Sequence, residues 1–407
     1  MVELGSLLWL HSLILTNGYR MAKKTLNQSL SAAKAAKKDE FYTQYIDIQK
    51  EVEAYLEYDM DTFRGKVVYC NCDDPFESNF FKYFAANFNK LGLKRLVTTS
   101  YDGSPIAGRG TLFEEYHAGN GKRRKPKALA VVLEHVKDED GDGATDITDV
   151  ELFLKRNKAA RRALKGDGTY PGGDFRSREC VELLKDADLI VTNPPFSLFR
   201  EFVALLMEND KKFLVIGNQS ALTVSEIFPL VRDNKMWLGV DNGGTKWFEV
   251  NDDYDIKTES RKKVIDGTKY FSMGSIMWYT NLDHGRRHQK LPLMTMAENL
   301  KFAGKLKGKK SYEEYDNYRA IEVGTYKAIP SDFDGVMGVP ITFIDKYNPD
   351  QFEIVGSDYE VKQGLHPELV KDDWTGKLDR GYLGGKRKFA RILIRHRRSR
   401  IMKRTKQ

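Results

Sequence analysis

Cysteine is scarce in this 407-residue chain, which contains only Cys70, Cys72 and Cys180. Three cysteines cannot build a disulfide framework, and none combines with the seven histidines in a zinc-binding spacing. His284 and His288 stand close together in the basic segment HGRRHQK, which is more typical of a solvated loop than of a metal site. The composition therefore predicts a protein of a reducing compartment, the cytoplasm, with no metal requirement.

Long apolar runs are also missing. The best candidate, LLWLHSLIL at residues 7–15, is too short to cross a bilayer and is preceded by Glu3 instead of a basic stretch. We therefore predict neither a membrane segment nor a signal peptide. Met21 then opens a basic, alanine-rich segment, and we treat residues 1–37 as an N-terminal extension with little ordered structure.

Acidic residues are absent from one end of the chain. Lys and Arg outnumber Asp and Glu by 66 to 58, but residues 386–407 alone contain eleven Lys and Arg and no acid. Because the whole chain has a formal charge of +8, the residues before this tail carry about −3. A basic tail suits a polyanionic partner, since each neutralised phosphate releases counterions. A solubilising tail without a partner is the alternative.

What the chain does contain, from Lys66 onward, is an alternation of short apolar strands and amphipathic helices. This alternation predicts an α/β fold in which helices cover both faces of a parallel sheet. The first of these helices has a phenylalanine stripe and ends at Gly92. The predicted strands are 66–72, 94–100, 128–136, 189–193 and 211–218, and the predicted helices are 77–92, 178–188 and 197–209.

The pattern changes after residue 233. Aromatic strands (KMWLGV, TKWFEV and SIMWYTNL) come first, followed by segments rich in Gly, Pro and Tyr that have no helical period. We place a domain boundary near residue 290. The predicted organisation is a main domain at 38–290, with an insertion at about 103–170, and a smaller irregular or β-containing domain at 291–407.

The insertion contains an acidic loop, DEDGDGATDITD, at residues 138–149. Its aspartates have the spacing of an EF-hand calcium loop, but the twelfth position is Asp149 instead of the usual glutamate, and the eighth is the polar Thr145. Two interpretations stay open. The loop is either a calcium site or, as we favour, a solvated acidic turn that caps a helix at 149–164.

The most specific signal lies in DLIVTNPPFSLFREF, residues 188–202. Ligands of an open parallel sheet bind outside the carboxyl ends of its strands, and Asn193-Pro194-Pro195-Phe196 follows such a strand directly. The prolines fix φ and lack N–H groups, which leaves a rigid turn of acceptors. A planar ring with an exocyclic amine fits this turn, because the amine can donate to the Asn193 amide oxygen and the Pro194 carbonyl while the ring stacks on Phe196. An ordinary turn with Phe196 buried is the alternative.

This tetrapeptide resembles the (D/N/S)PP(Y/F) hallmark of amino methyltransferases, in the form typical of enzymes that make N6-methyladenine in DNA. Further segments, spread in the family's order from about residue 38 to 397, resemble the EcoRI-type adenine-specific DNA methyltransferases. They are KKDEFYTQY, GKVVYCNCDDP, SNFFKYFA, GGDFRS, YDNYRAIEV, GVMGVPITFIDKYNPDQFE and ARILIRHR. The resemblance implies a Rossmann-like methyltransferase sheet that uses S-adenosylmethionine, and a smaller C-terminal target-recognition domain.

The resemblance also implies a mechanism and partners. The methyl group is transferred directly to an adenine flipped out of double-stranded DNA, without a metal or a covalent intermediate. The enzyme belongs to a restriction-modification system or is a solitary relative, and a cognate restriction endonuclease would share its site without being a stable subunit. The order of the motifs, with cofactor segments before NPPF, resembles the gamma arrangement and places target recognition from about residue 291 onward.

The resemblance assigns roles to individual residues. The catalytic candidates are Asn193, Pro194, Pro195 and Phe196; the cofactor-binding candidates are Phe41, Tyr42, Thr43, Asn71, Asp73, Asp74, Asp102, Asp174 and Phe175; the base-stacking candidate is Phe248, with Trp247 as its alternative. The turn CNCDDP lacks the glycines of many methyltransferase loops, so we expect side chains to hold the cofactor there. A helix start or cap at Thr43 and Asp174, a plain turn at Asp102 and a buried strand aromatic at Phe248 are the structural alternatives.

Two other functions stay open at this point. One is an N-methyltransferase that acts on RNA or on a protein glutamine, although Phe196 in place of Tyr and the long C-terminal segments are unfavourable to it. The other is a non-catalytic DNA-binding protein that retains the methyltransferase fold, for which an intact NPPF motif would be unexpected.

Overall fold

The computed structural model describes residues 42–75, 78–101, 128–143, 145–157, 160–250, 256 and 258–397. The predictions for residues 1–37, Phe41, Asp102 and the tail after residue 397 lie outside this part of the chain. Its α-helices are α1 (Tyr45–Tyr58), α2 (Asn79–Ala86), α3 (Phe88–Leu91), α4 (Ile147–Arg156), α5 (Arg178–Asp186), α6 (Phe199–Glu208), α7 (Phe228–Arg232), α8 (Met296–Phe302) and α9 (Asp358–Lys362). None of them combines the length and hydropathy that crossing a membrane requires.

Four sheets hold the strands of the described residues. The strands are β1 (Val67–Asn71), β2 (Arg95–Thr99), β3 (Leu129–Leu133), β4 (Arg161–Ala163), β5 (Leu189–Thr192), β6 (Lys212–Asn218), β7 (Trp237–Leu238), β8 (Lys246–Glu249), β9 (Lys262–Ile265), β10 (Thr268–Met273), β11 (Ile276–Thr280), β12 (Ala320–Glu322), β13 (Val336–Val339), β14 (Phe352–Ser357), β15 (Tyr382–Leu383), β16 (Lys386–Arg387) and β17 (Ile392–His396). All five strands that the sequence predicts before residue 219 are present, with ends shifted by no more than three residues.

The central sheet has the strand order β4-β3-β2-β1-β5-β6-β11-β7. Strands β2, β1, β5 and β6 are parallel, which confirms the predicted α/β, Rossmann-like core. The predicted parallel pairing holds for these four central strands and does not extend to β3, because β3, β4, β11 and β7 pair antiparallel at the two sides of the sheet. Since β1 lies between β2 and β5, the sheet has its crevice where the carboxyl ends of β1 and β5 meet.

Helix boundaries follow local capping. The hydroxyl of Ser78 accepts the N–H of Phe80 at the start of α2, and Gly92 ends α3 in the left-handed conformation, with φ 63°. The predicted helix at 77–92 is interrupted at Asn87, which separates α2 from α3. The predicted helix at 149–164 ends much earlier, at Arg156, and residues after it form β4.

The aromatic segments beyond residue 233 divide between two sheets, because β7 and β11 join the central sheet and β8 belongs to a smaller one. Strands β8, β10 and β9 make an antiparallel sheet, and Tyr42 adds an isolated bridge to Glu249 at its β8 edge. Strands β12, β13, β17 and β14 make a second sheet, and β15 and β16 form a hairpin. One apolar cluster contains residues of both the central sheet and the β12–β17 sheet, so the predicted division near residue 290 stays a prediction.

Candidate active site

The NPPF motif lies at the crevice of the central sheet. Strand β5 ends at Thr192, so Asn193 emerges beside the turn that follows β1. Pro194 is buried, and the Pro195 carbonyl accepts the N–H of Leu198 at 2.9 Å, which closes the short 3₁₀ turn before α6. The role of this turn as an acceptor for an exocyclic amine stays a prediction.

A buried carboxylate joins the motif to the turn after β1. Asp73 is 5% exposed and accepts hydrogen bonds from the Ser78 hydroxyl and the Thr192 hydroxyl, both at 2.6 Å. The Thr98 hydroxyl also donates to the Asp73 backbone carbonyl. Hydrogen bonds to a carboxylate are stronger than those between neutral groups. Asp73 therefore fixes the residue immediately before Asn193 relative to the predicted cofactor turn.

Asn71, the last residue of β1 directly before this turn, has an unsatisfied donor. Its side chain is fully buried, and its amide oxygen accepts the Thr99 hydroxyl at 3.3 Å. Its Nδ2 group finds no partner among the described residues, although a buried unpaired donor costs about 1–3 kcal/mol. The next residue, Cys72, takes φ 71°, a conformation usually left to glycine. The glycine-free turn thus still makes the sharp bend expected of this loop.

The segment before α1 contacts both α2 and β8. The Thr43 carbonyl accepts Asn79 Nδ2 at 2.8 Å, and the buried Thr43 hydroxyl has no partner among the described residues. Tyr42 exchanges two backbone hydrogen bonds of 3.2 Å with Glu249 in β8. The structure therefore holds Thr43 against the start of α2, where the capping residue Ser78 binds Asp73. Phe41 lies outside the described residues.

Asp174 comes close to β2 because the preceding glycines allow it. A Cβ atom on Gly173, which has φ 78°, would collide with the Ser100 carbonyl at the end of that strand. The Asp174 carboxylate is bound at both oxygens by Arg176, at 2.9 and 2.8 Å. These hydrogen bonds raise the pKa of Arg176, whose guanidinium also binds Glu201 at 2.8 Å. Asp174 thus lies beside the end of β2, with both of its carboxylate oxygens already hydrogen-bonded to Arg176.

The aromatic candidates differ in their surroundings. Phe175 is buried and meets Phe202 edge-on, with ring centroids 5.1 Å apart. Phe248 is fully buried in an apolar cluster against which the half-buried Phe196 packs. Trp247 is partly exposed and has the Lys263 ammonium 4.5 Å from its ring centroid. The stacking roles of Phe175, Phe196 and Phe248 stay predictions.

Comparison with known proteins decides the family. The family model described as "Adenine-specific methyltransferase EcoRI" matches residues 29–397. The chain belongs to this family.

Three relatives of known family support the assignment along nearly the whole chain. Type II methyltransferase M.EcoRI of Escherichia coli is 40% identical over 93% of this chain and 99% of its own length. Type II methyltransferase M.MgeORF184P of Mycoplasma genitalium is 33% identical over 89% of this chain and 97% of its own. Type II methyltransferase M.MpnI of Mycoplasma pneumoniae is 33% identical over 90% and 98%. No solved structure matches the chain.

In this adenine-specific methyltransferase, two buried charged residues that sequence reasoning missed hold the candidate site together. The Glu51 carboxylate, fully buried in α1, accepts the backbone N–H groups of Val240 at 2.9 and 3.0 Å and of Asp241 at 2.6 Å. Burial raises the pKa of Glu51 to about 7. The buried Lys246, the first residue of β8, donates to Asp241 at 2.6 Å. Lys246 Nζ also lies 3.6 Å from the carboxylate of Asp47 in α1. The Glu51 and Asp47 contacts therefore fix α1, which follows Thr43, against the segment that leads to Phe248.

The acidic loop takes the form of a helix cap. Asp146 and Asp149 form a reciprocal capping box at the start of α4, and Asp149 Oδ1 also accepts the Glu139 N–H at 2.5 Å. Backbone hydrogen bonds, chiefly from Asp146, hold the pKa of Asp149 below its usual value. Carboxylate oxygens of Asp138, Asp140 and Asp149 lie within 4.8 Å of one another, so the calcium interpretation stays open beside the favoured cap.

Proposed function

We propose that this adenine-specific DNA methyltransferase uses S-adenosylmethionine to methylate N6 of an adenine within a defined sequence of double-stranded DNA. The observation that carries the proposal is the hydrogen bond from Thr192 to Asp73, 2.6 Å long, which links the NPPF turn to the predicted cofactor turn. Methyl transfer needs its two reactants within contact distance of each other. A rigid link between the two turns provides that proximity.

Unsatisfied buried groups in the crevice fit a polar cofactor. Asn71 Nδ2 is a donor, and the Thr43 hydroxyl can donate or accept; both are buried without a partner among the described residues. An aminoacyl carboxylate, an ammonium and two ribose hydroxyls are groups that such side chains bind. We propose that Asn71, Thr43, Asp73 and Asp74 hold the methionine or ribose part, and that Phe41, Tyr42, Asp102, Asp174 and Phe175 complete the site. When bound, S-adenosylmethionine supplies a sulfonium methyl group to which the adenine nitrogen bonds as the methyl–sulfur bond breaks.

The chain's own residues prepare the adenine amine. The N6 hydrogens donate to the Asn193 amide oxygen and to the Pro194 carbonyl, while Pro195 keeps the turn rigid. Two accepted hydrogen bonds keep the nitrogen lone pair out of the ring, so the amine becomes a usable nucleophile. Phe196 stacks on one face of the base and Phe248 on the other. A base inside a duplex cannot reach this crevice, so the adenine is flipped out.

The remaining parts of the function follow from the same proposal. Residues 291–407 recognise the target sequence, and the basic residues from 386 onward bind phosphates. The enzyme acts in the cytoplasm, without a membrane partner. By similarity to relatives that are named Type II methyltransferases, it modifies the site of a restriction-modification system whose endonuclease is a separate protein.

Asn193→Ala tests the catalytic assignment. Losing the amide oxygen should abolish transfer of a labelled methyl group to DNA while leaving cofactor binding close to that of the wild type, because Asn193 acts on the base. Retained turnover would contradict the mechanism. Asn89→Ala is the matched control, since Asn89 binds the Val136 carbonyl away from the crevice. Expression in a host without adenine methylation, followed by genome-wide mapping of N6-methyladenine, identifies the target sequence.

A further inference from the structure

Phe389 stands out on the surface of the C-terminal part. Among the described residues it is the large apolar side chain with the greatest exposure, 85%. Single exposed apolar residues are common on proteins and need no special explanation. Phe389 differs from such residues in the rigidity of its backbone and in the charge of its neighbours.

The backbone on both sides of Phe389 is firmly held. The hairpin β15–β16 turns through Gly384 and Gly385, and the Asp316 carboxylate accepts their N–H groups at 3.2 and 2.7 Å. The N–H of Lys388 donates to the Gly381 carbonyl at 2.9 Å. Three residues after Phe389, β17 begins as a central strand between β13 and β14. The exposed ring is therefore presented from a fixed position, which keeps the entropy cost of binding low.

The charged residues beside Phe389 in the sequence are of one sign. Residues 380–391, RGYLGGKRKFAR, contain five Lys and Arg and no acid. Arg387 pairs with Asp379 at 2.8 Å, and the partly buried Arg391 pairs with Glu322, so both form ion pairs within the fold. Lys386 is exposed, and the charge of Lys388 adds to that of Lys309 in lowering the pKa of Glu313. No acidic residue follows Phe389 in the sequence, so two lysines precede one exposed aromatic ring without an acid between them.

We propose that the β15–β16 hairpin and Phe389 form a contact surface for duplex DNA, in which Lys386 and Lys388 bind phosphates and Phe389 packs against base edges in a groove. The inference rests on the proposed function and adds the location and chemistry of one DNA contact. Phosphates line both sides of a groove, and its floor offers apolar surface to an inserted side chain. Two lysines beside a protruding ring match that arrangement, whereas a segment that only increases solubility does not require an exposed aromatic ring.

Salt dependence separates the two kinds of contact. Binding of the full-length protein to a duplex that contains its mapped methylation site should be measured between about 50 and 200 mM salt. Lys386→Ala and Lys388→Ala should each reduce the slope of log K against log salt by about 0.9, because one counterion-releasing contact is lost. Phe389→Ala should weaken binding about tenfold at every salt concentration and leave the slope unchanged, since aromatic contacts with bases involve no counterion.

Met60→Ala provides the matched control. Met60 is another exposed large apolar side chain, 78% exposed, and it lies in the turn after α1, outside residues 291–407. This variant should bind DNA as the wild type does. Unchanged binding by Phe389→Ala, an equal loss in Met60→Ala, or a wild-type slope in both lysine variants would overturn the inference. Wild-type protein that transfers no methyl group to DNA would instead overturn the proposed function.

Discussion

Glu51 provides a quantitative test of how the site is held together. Its carboxylate is fully buried beneath the loop at Val240 and Asp241 and accepts backbone N–H groups from both. Desolvation dominates over these hydrogen bonds and raises the pKa from 4.5 to about 7. The folded protein therefore binds a proton at Glu51 over a pH range in which the unfolded chain has released it.

The sign and size of the effect follow from this difference. Between pH 4.5 and 7 the unfolded chain binds fewer protons at this position, so the free energy of unfolding falls as pH rises through the interval. A displacement of about two and a half pKa units corresponds to about 3 kcal/mol. That stabilisation is fully present below pH 4.5 and is lost once the pH exceeds about 7.

Glu51→Gln removes the titration and keeps the shape of the protonated side chain. Between pH 4.5 and 8, the free energy of unfolding of the wild type should fall by about 3 kcal/mol relative to that of the variant. Urea unfolding followed by tryptophan fluorescence measures this difference. Glu57→Gln, on the exposed side of the same helix, is the matched control for the substitution itself. A pH-independent difference for Glu51→Gln would refute the argument that burial governs this carboxyl.

Three further predictions concern the crevice and its supports. Thr192→Val removes one donor to the buried Asp73 carboxylate, so kcat for methyl transfer should fall, and stability should drop by about 1–3 kcal/mol in urea unfolding. Arg176→Met leaves the buried Asp174 carboxylate without the Arg176 guanidinium and should reduce the free energy of unfolding by about 3–5 kcal/mol. A change below about 1 kcal/mol would show that water replaces the guanidinium as a hydrogen-bond donor. Gly173→Ala should reduce the melting temperature and the cofactor affinity together, because its Cβ would collide with the Ser100 carbonyl directly after β2.

The sequence predicted the core strands and the position of the NPPF turn because these features are encoded locally. Apolar runs of strand length, serine caps such as Ser78 and Ser177, and the Gly92 helix end can each be recognised within a few residues. The direction of a strand is not encoded in this way. β3 has the same apolar composition as β2, and its antiparallel pairing depends on the path of the chain between them, which no periodicity reveals.

The hydrogen bonds to the acidic site candidates were harder to predict. Thr192 and Asp73 are 119 residues apart, and Val240 and Glu51 are 189 apart, so only packing brings them together. Sequence reasoning therefore named Asp73 and Asp174 as cofactor groups without seeing that Ser78, Thr192 and Arg176 already bind their carboxylates.

The hydrogen bonds that Asp73 and Asp174 already accept affect which atoms are available to bind the cofactor. A carboxylate that already accepts two strong hydrogen bonds is a weaker site for a further donor than a buried group with no partner. Among the described residues near the crevice, Asn71 Nδ2 and the Thr43 hydroxyl are such groups. A bound cofactor would satisfy both groups. The free energy that these unpaired groups cost in the empty site would then add to the affinity for the cofactor. Asn71 and Thr43 are therefore better candidates than Asp174 for strong cofactor contacts, although all three came from the same sequence resemblance.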